Sequence, residues 1–334
     1  MVRLSDILRK AEEERYQNKE SVVRDAVRLK KETQSLPGTK KIYENAIIRI
    51  KTILNDIKAG KIIDGKDIFS VAGNIVDGLQ TNYNLLLSLL NIFTPFEEKE
   101  DFHHRHSVNT SILCASLGLS LQYEKKKLID LCACALVHDI GMLKVPQEII
   151  NKPSKLSRGE QNMIEEHPSF GLELLEDIKG MPDEAANVIY QHHERVDGKG
   201  YPEGKKREEI SEFAKIVAIA EVYEALTHPR PYRREKIIPY MGVKMIVQQA
   251  GTFFEPRLVK IFLNFITPYP LGSFVLLNSN EIGRVIQINE GLPLRPIVEI
   301  FYDSEGKLPD KPKKIDLSKS PILYIEKALA ESVL

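Results

Sequence analysis

The chain has 334 residues, 43% hydrophobic and 28% charged. At roughly 100–200 residues per domain this is two or three units, and the composition excludes a disordered chain, a fibre and a small disulfide scaffold. Its 47 basic and 47 acidic residues balance, so no strong field draws the whole chain to nucleic acid or to an anionic membrane.

The first part, residues 1–95, reads as helices. Leu4, Ile7, Leu8 and Ala11 share one helical stripe. Leu36-Pro37-Gly38 breaks it, and a second helix carries Ile42, Ala46, Ile47, Ile50 and Leu54, with Gly60 as its stop. Asp67 is the expected cap of a third helix through Ile75, Leu79, Leu86 and Leu90. The 16 basic and 12 acidic residues up to Pro95 are too mild an excess for a nucleic-acid arm. The region is expected to form a regulatory or dimerisation module.

Residues 96–268 are also helical in pattern, and Ser157 with Glu160 has the spacing of a capping box. A Gly-rich loop interrupts them, with glycines at 198, 200 and 204 beside Pro202. Residues 269–334 change character: Phe274-Val275-Leu276-Leu277, 283–288 and 297–301 are short β-rich runs divided by turn residues. They predict a small β-rich appendage, closed by a short helix near 326–332. The fold class is therefore mainly α: an N-terminal helical region, a central helical bundle and a β appendage.

No apolar run approaches the ~20 residues of a membrane helix. The chain reaches Asp6 before any apolar run, which is not the pattern of a secretory signal. Cys114, Cys132 and Cys134 are an odd set on apolar segments. They read as small core residues of a cytoplasmic protein rather than as a disulfide framework or a metal pair.

The chemistry lies in the histidines, all eight of which fall between residues 103 and 228. His106, His138-Asp139, His167, His192-His193 and Glu221 follow one another at steps of 25–32 residues. Each step suits one or two helices plus a turn, so successive helices of a bundle would each deliver a ligand to one central site. Imidazole and carboxylate together suit Fe, Mn or Zn. Seven ligands exceed one tetrahedral ion and suit two ions about 3.5–4 Å apart, bridged by a carboxylate such as Asp139, an arrangement fit for phosphodiester hydrolysis. His103, His104 and His228 are left as ordinary core or surface residues. After His193, Gly200 lets backbone approach a ligand, and Tyr201 offers an aromatic face or a hydroxyl. Arg230 and Arg233 lie in a basic run whose guanidinium groups suit phosphate.

These residues resemble the HD-GYP phosphodiesterases, a branch of the HD metal-dependent phosphohydrolases. The resemblance rests on His106-Ser107, His138-Asp139-Ile140-Gly141, His167-Pro168, His192-His193-Glu194, Asp197-Gly198, Gly200-Tyr201-Pro202, 220–225 and Arg230-Pro231-Tyr232-Arg233, and covers about residues 96–310. It implies a helical HD bundle around a metal centre. It implies hydrolysis of cyclic di-GMP to linear pGpG and then GMP, with a hydroxide bridging the metals as nucleophile. It also implies that the metal is often iron and sometimes manganese.

Carried over by position, His106, His138, Asp139, His167, His192, His193 and Glu221 are the expected ligands of two ions. Lys144, Gly200, Tyr201, Pro202, Glu224, Arg230 and Arg233 are the expected substrate contacts. The departures are Glu221 and Glu224, where the family usually has Asp, and Met142, where it has Lys. Phe102 stands where some members have a Glu for a third metal. These departures motivate an alternative: a weakly active or inactive module that binds cyclic di-GMP or a protein partner as a receptor. A different HD phosphohydrolase acting on other phosphate esters is a further reading, against which the Gly200-Tyr201-Pro202 loop speaks.

Overall fold

The structure is a computed structural model; it describes residues 37–81, 102–152, 154–228, 237–289, 292–309 and 313–329. The first predicted stripe and most of the proposed dimerisation region lie outside these residues. The described residues fall into two compact units, one of 39–237 with 242–265 and one that includes 238–241 and 266–329.

The larger unit is helical. Helix α1 (Pro37–Lys58) buries Tyr43, Ala46, Ile50, Ile53, Leu54 and Ile57 on one face, the spacing of an amphipathic helix. It ends at Gly60, whose φ of +73° suits glycine at a helix C-terminus. Strand β1 (Ile63–Asp64) pairs in parallel with β2 (Ile178–Lys179). Helix α2 (Gly65–Thr81) starts two residues before the expected Asp67. Asp64 accepts from the Lys66 backbone there, while Asp67 pairs with Arg49.

Helix α3 (Phe102–Ser120) is buried along nearly its whole length. It packs against α4 (Lys125–Val137) and α9 (Glu212–Thr227). Between these lie a 3-10 turn (Ile140–Lys144), α5 (Gln147–Ile150), α6 (Arg158–Glu165), α7 (His167–Leu175) and α8 (Glu184–Gln191). The Ser157–Glu160 capping box opens α6 as expected. Cys114, Cys132 and Cys134 are buried and free, and burial pushes all three thiols up, Cys132 to about 12. Helices α10 (Pro239–Gln248) and α11 (Pro256–Phe265) complete the helical part. Because α1 and α2 belong to the same compact unit as α3 to α9, that unit extends well before residue 96.

The second unit carries an antiparallel sheet of β3 (Phe274–Leu277), β4 (Ile282–Gln287), β5 (Ile297–Tyr302), β6 (Lys313–Asp316) and β7 (Ile325–Leu329), in the order β6-β5-β4-β3-β7. Its core is Val275, Leu277, Val285, Val298, Ile300 and Leu317 with Tyr269 and Ala328. The closing element is a strand, not the expected helix. Residues 325–329 pair with β3, and that pairing outweighs the helical preference of Glu326, Lys327 and Ala328. No described helix is long and apolar enough to cross a membrane.

Candidate metal centre

Three of the predicted ligands sit at helix ends, and this fixes their rings. The last four carbonyls of a helix have no partner within it, so a histidine placed there can donate back to them. His138 ends α4 and its Nδ1 lies 2.8 Å from the Ala135 carbonyl. His192 ends α8, with Nδ1 3.0 and 2.9 Å from the carbonyls of Val188 and Ile189. His167 follows α6 and its Nδ1 lies 2.7 Å from the Ile164 carbonyl. His106, inside α3, is held instead by Glu224, 2.6 Å from its Nδ1. Each imidazole thus spends Nδ1–H on a neighbour and turns an Nε2 lone pair inward, the tautomer metal ligation needs.

Asp139 sits where these lone pairs meet. Its Oδ1 is 3.2 Å from His167 Nε2 and 3.7 Å from His192 Nε2. Its Oδ2 is 3.7 Å from His106 Nε2 and 4.0 Å from His138 Nε2. The ligand atoms form two tight groups, Asp139–His167–His192–His193 and His106–His138–Asp139, with Asp139 in both. Glu221 stands beside them, its carboxylate 3.9 Å from His193 Nδ1, but belongs to neither group.

Burial sets the protonation states. It pushes His138 down to about 3, and holds His167 below and His193 well below the usual imidazole value. Asp139 pays the same desolvation in the opposite sense, but the surrounding histidines outweigh it and keep the carboxyl well below its ordinary value. His192 runs against its neighbours: burial disfavours its cation, yet the nearby Asp139 and Glu221 carboxylates raise it.

The donor set fits cations. His167 and His192 point Nε2 at Nε2 across 3.1 Å, while both Nδ1 atoms face carbonyls. With each Nδ1–H given to a carbonyl, the two facing Nε2 atoms need a positive charge between them, a proton or a metal ion. The buried Nε2 of His138 has no hydrogen-bond partner among the described residues, a cost in a protein interior that coordination removes.

The backbone is shaped around this cluster. A Cβ on Gly141 would lie 1.8 Å from the His167 carbonyl oxygen and 2.6 Å from the Gly171 nitrogen. Glycine is thus what lets the turn after Asp139 press against the helix that starts at His167. Gly200 plays the same part in the loop: a Cβ would come within 2.5 Å of the His193 carbonyl oxygen. That contact seats Tyr201 with its ring stacked on His193, centroids 4.6 Å apart. Burial, with Glu221 and Asp139 nearby, raises the Tyr201 hydroxyl so that it stays protonated.

Residues 89–258 match the model of the HD domain, and residues 274–334 that of a KOW domain associated with the HD domain. The chain belongs to the HD domain family. The chain is 29% identical to a cyclic di-GMP phosphodiesterase (PA4108) of Pseudomonas aeruginosa, over 81% of this chain and 64% of that protein. It is 35% identical to the cyclic di-GMP phosphodiesterase response regulator RpfG of Xanthomonas campestris, over 48% and 42%. It is 39% identical to 3'3'-cGAMP-specific phosphodiesterase 1 of Vibrio cholerae, over 41% and 32%. The chain therefore spans less than two thirds of the length of these relatives. In structure it is similar to Bd1817, a HDG"Y"P protein from Bdellovibrio bacteriovorus, with a TM-score of 0.54 and 19% identity over 67% of this chain and 70% of that one.

Within this HD domain the structure brings together six of the seven predicted ligands, with Glu221 adjacent. The predicted substrate contacts divide. Gly200 and Tyr201 border the histidines, and Pro202 follows them, exposed. Lys144 pairs with Glu173. Arg230 and Arg233 fall outside the described residues. Glu224 is 2% exposed and sits behind His106. Glu221 and Glu224 are three apart on α9, hence neighbours on one face, and spacing alone does not tell which faces the ions.

Two residues outside the expected site also shape it. Asn109 donates its amide to Glu224 at 3.1 Å; the polar run Ser107, Asn109, Thr110, Ser111 inside an otherwise apolar buried helix was the available signal. Glu194 is buried and accepts from the backbones of Glu203 and Lys205 at 2.8 and 2.9 Å, anchoring the loop that carries Tyr201.

Glu224→Gln keeps the shape and removes the charge behind His106. Apparent affinity for Mn2+, measured by chelator competition, is expected to fall roughly 10- to 100-fold, the usual effect of losing such a partner.

Proposed function

We propose that the chain is a metal-dependent phosphodiesterase that hydrolyses cyclic di-GMP to linear pGpG, to GMP or to both. The observation that carries this reading is Asp139, which faces one group of imidazoles with Oδ1 and another with Oδ2. The reading assigns His106, His138, Asp139, His167, His192 and His193, with Glu221 beside them, to two ions of iron or manganese. Such ions supply Lewis acidity toward a phosphate oxygen and lower the pKa of water at neutral pH.

The protein's own part is arrangement. Asp139 holds the two ligand groups to one centre. The neutral, protonated Tyr201 offers a hydroxyl donor to a phosphate and a ring face to a base. Glu194 keeps that loop from drifting. Gly200, Pro202, Lys144, Arg230 and Arg233 are proposed as further contacts along the nucleotide. The relatives named for cyclic di-GMP and for 3'3'-cGAMP support a cyclic dinucleotide over other phosphate esters. Free, buried cysteines support a reducing, cytoplasmic setting.

The test uses full-length protein purified without oxygen. Metal per chain is measured, and the same sample is incubated separately with cyclic di-GMP and with 3'3'-cGAMP. About two ions per chain with guanine nucleotide products from cyclic di-GMP is the expected result. Full metal with cyclic di-GMP bound but uncleaved would instead make the protein a receptor.

A further inference from the structure

Helix α1 precedes residues 89–258, the stretch matched as an HD domain, yet one of its side chains is linked to the ligand cluster through two others. Tyr43 donates its hydroxyl to Asn109 Oδ1 at 2.8 Å. Asn109 donates Nδ2 to Glu224 Oε1 at 3.1 Å. Glu224 Oε2 lies 2.6 Å from His106 Nδ1. All four side chains are at most 3% exposed, so the chain runs through the interior from α1 through α3 to α9 and back to α3.

We propose that Tyr43 is a positioning residue for the metal centre, acting on His106 through Asn109 and Glu224. The direction of each hydrogen bond supports this. A phenol hydroxyl that donates to Asn109 Oδ1 fixes which end of the amide faces Glu224. The amide then presents N–H, not oxygen, to the carboxylate. Glu224 thereby has a donor on each oxygen, and the second donor is the Nδ1–H that leaves His106 Nε2 as a lone pair toward Asp139. Losing the phenol hydroxyl lets the amide turn, which sets oxygen against carboxylate and loosens the imidazole. Buried polar chains of this kind are costly unless every member is satisfied, so the hydroxyl at position 43 answers to the polar groups behind it. The consequence is that a helix outside the HD domain helps set how tightly the domain holds metal. A displacement of α1 would be felt at His106.

This proposal rests on His106 being a metal ligand, and its test reads metal rather than turnover. Affinity of the full chain for Mn2+ alone is measured by chelator competition. Tyr43→Phe, which removes one oxygen, is expected to weaken Mn2+ about threefold to tenfold, less than the direct partner Glu224 does. Tyr123→Phe is the control: its hydroxyl donates to Glu212 at 2.5 Å in the same unit, a carboxylate that belongs to neither ligand group, and Mn2+ affinity should hold. In an Asn109→Ala background, where the chain is already cut, Tyr43→Phe should cause no further loss. Unchanged affinity in Tyr43→Phe would overturn the relay, as would an equal loss in Tyr123→Phe or a full additional loss on top of Asn109→Ala. If Mn2+ responds as expected but cyclic dinucleotides are not cleaved, the relay stands and the proposed activity falls.

Discussion

Asp139→Ala is expected to strip metal and end hydrolysis together. No other described residue belongs to both ligand groups, and its two oxygens face different imidazole pairs. Removing it leaves each group with imidazoles alone and takes away the negative charge that would hold the two proposed cations near one another. Ions of this kind contribute several kcal/mol to the transition state, so a loss of roughly 10³-fold or more in rate is expected. Metal analysis and nucleotide products from one preparation check it. Circular dichroism should stay unchanged, because the Asp139 carboxylate faces imidazoles rather than the apolar core. A variant that kept both ions and its turnover would refute the bridging role.

Gly141→Ala, one methyl group, should damage the protein as a whole. The added carbon would sit 1.8 Å from the His167 carbonyl oxygen and 2.6 Å from the Gly171 nitrogen. Both are backbone, so no rotamer change relieves the overlap. The turn after Asp139 must move off α7, and Asp139 and His167 separate as it does. Overpacking typically costs about 1–3 kcal/mol, and a domain of this size loses roughly 2–4 °C in melting temperature per kcal/mol. A fall of about 3–10 °C with weakened metal binding is expected, read by thermal unfolding and metal analysis. Gly159→Ala is the matched comparison. That glycine lies in α6 with nothing within 4 Å of its would-be Cβ, and alanine there should be neutral or stabilising by about 0.4–1 kcal/mol. Equal losses in the two variants would refute the packing argument.

The histidine series was legible because its steps of 25–32 residues match one or two helices plus a turn, so that successive helices each supply a ligand or a pair. The capping box at Ser157 and Glu160 was legible because its two hydrogen bonds join residues three apart. Long-range partners leave no such mark. Tyr43 meets Asn109 across 66 residues, and Asn109 meets Glu224 across 115, so the polar chain behind His106 becomes visible only when α1, α3 and α9 are packed. Glu221 and Glu224 were readable as a pair on one helical face, but which one leans on an imidazole depends on how α9 rotates against α3. Residues 325–329 went astray at the strand–helix choice: Glu326, Lys327 and Ala328 suit a helix locally, and the edge of β3 decides otherwise.

The hydrogen bonds from His138, His167 and His192 to their own helix ends also bear on the thermodynamics of ion capture. A free histidine side chain samples several rotamers, and freezing each one on binding would weaken affinity. Here three rings are already immobilised by carbonyls one turn back in the chain, so the entropy of ordering them is spent during folding rather than when the ion arrives. The centre is preorganised by secondary structure itself, and helices that dock correctly arrive with their ligands already aimed.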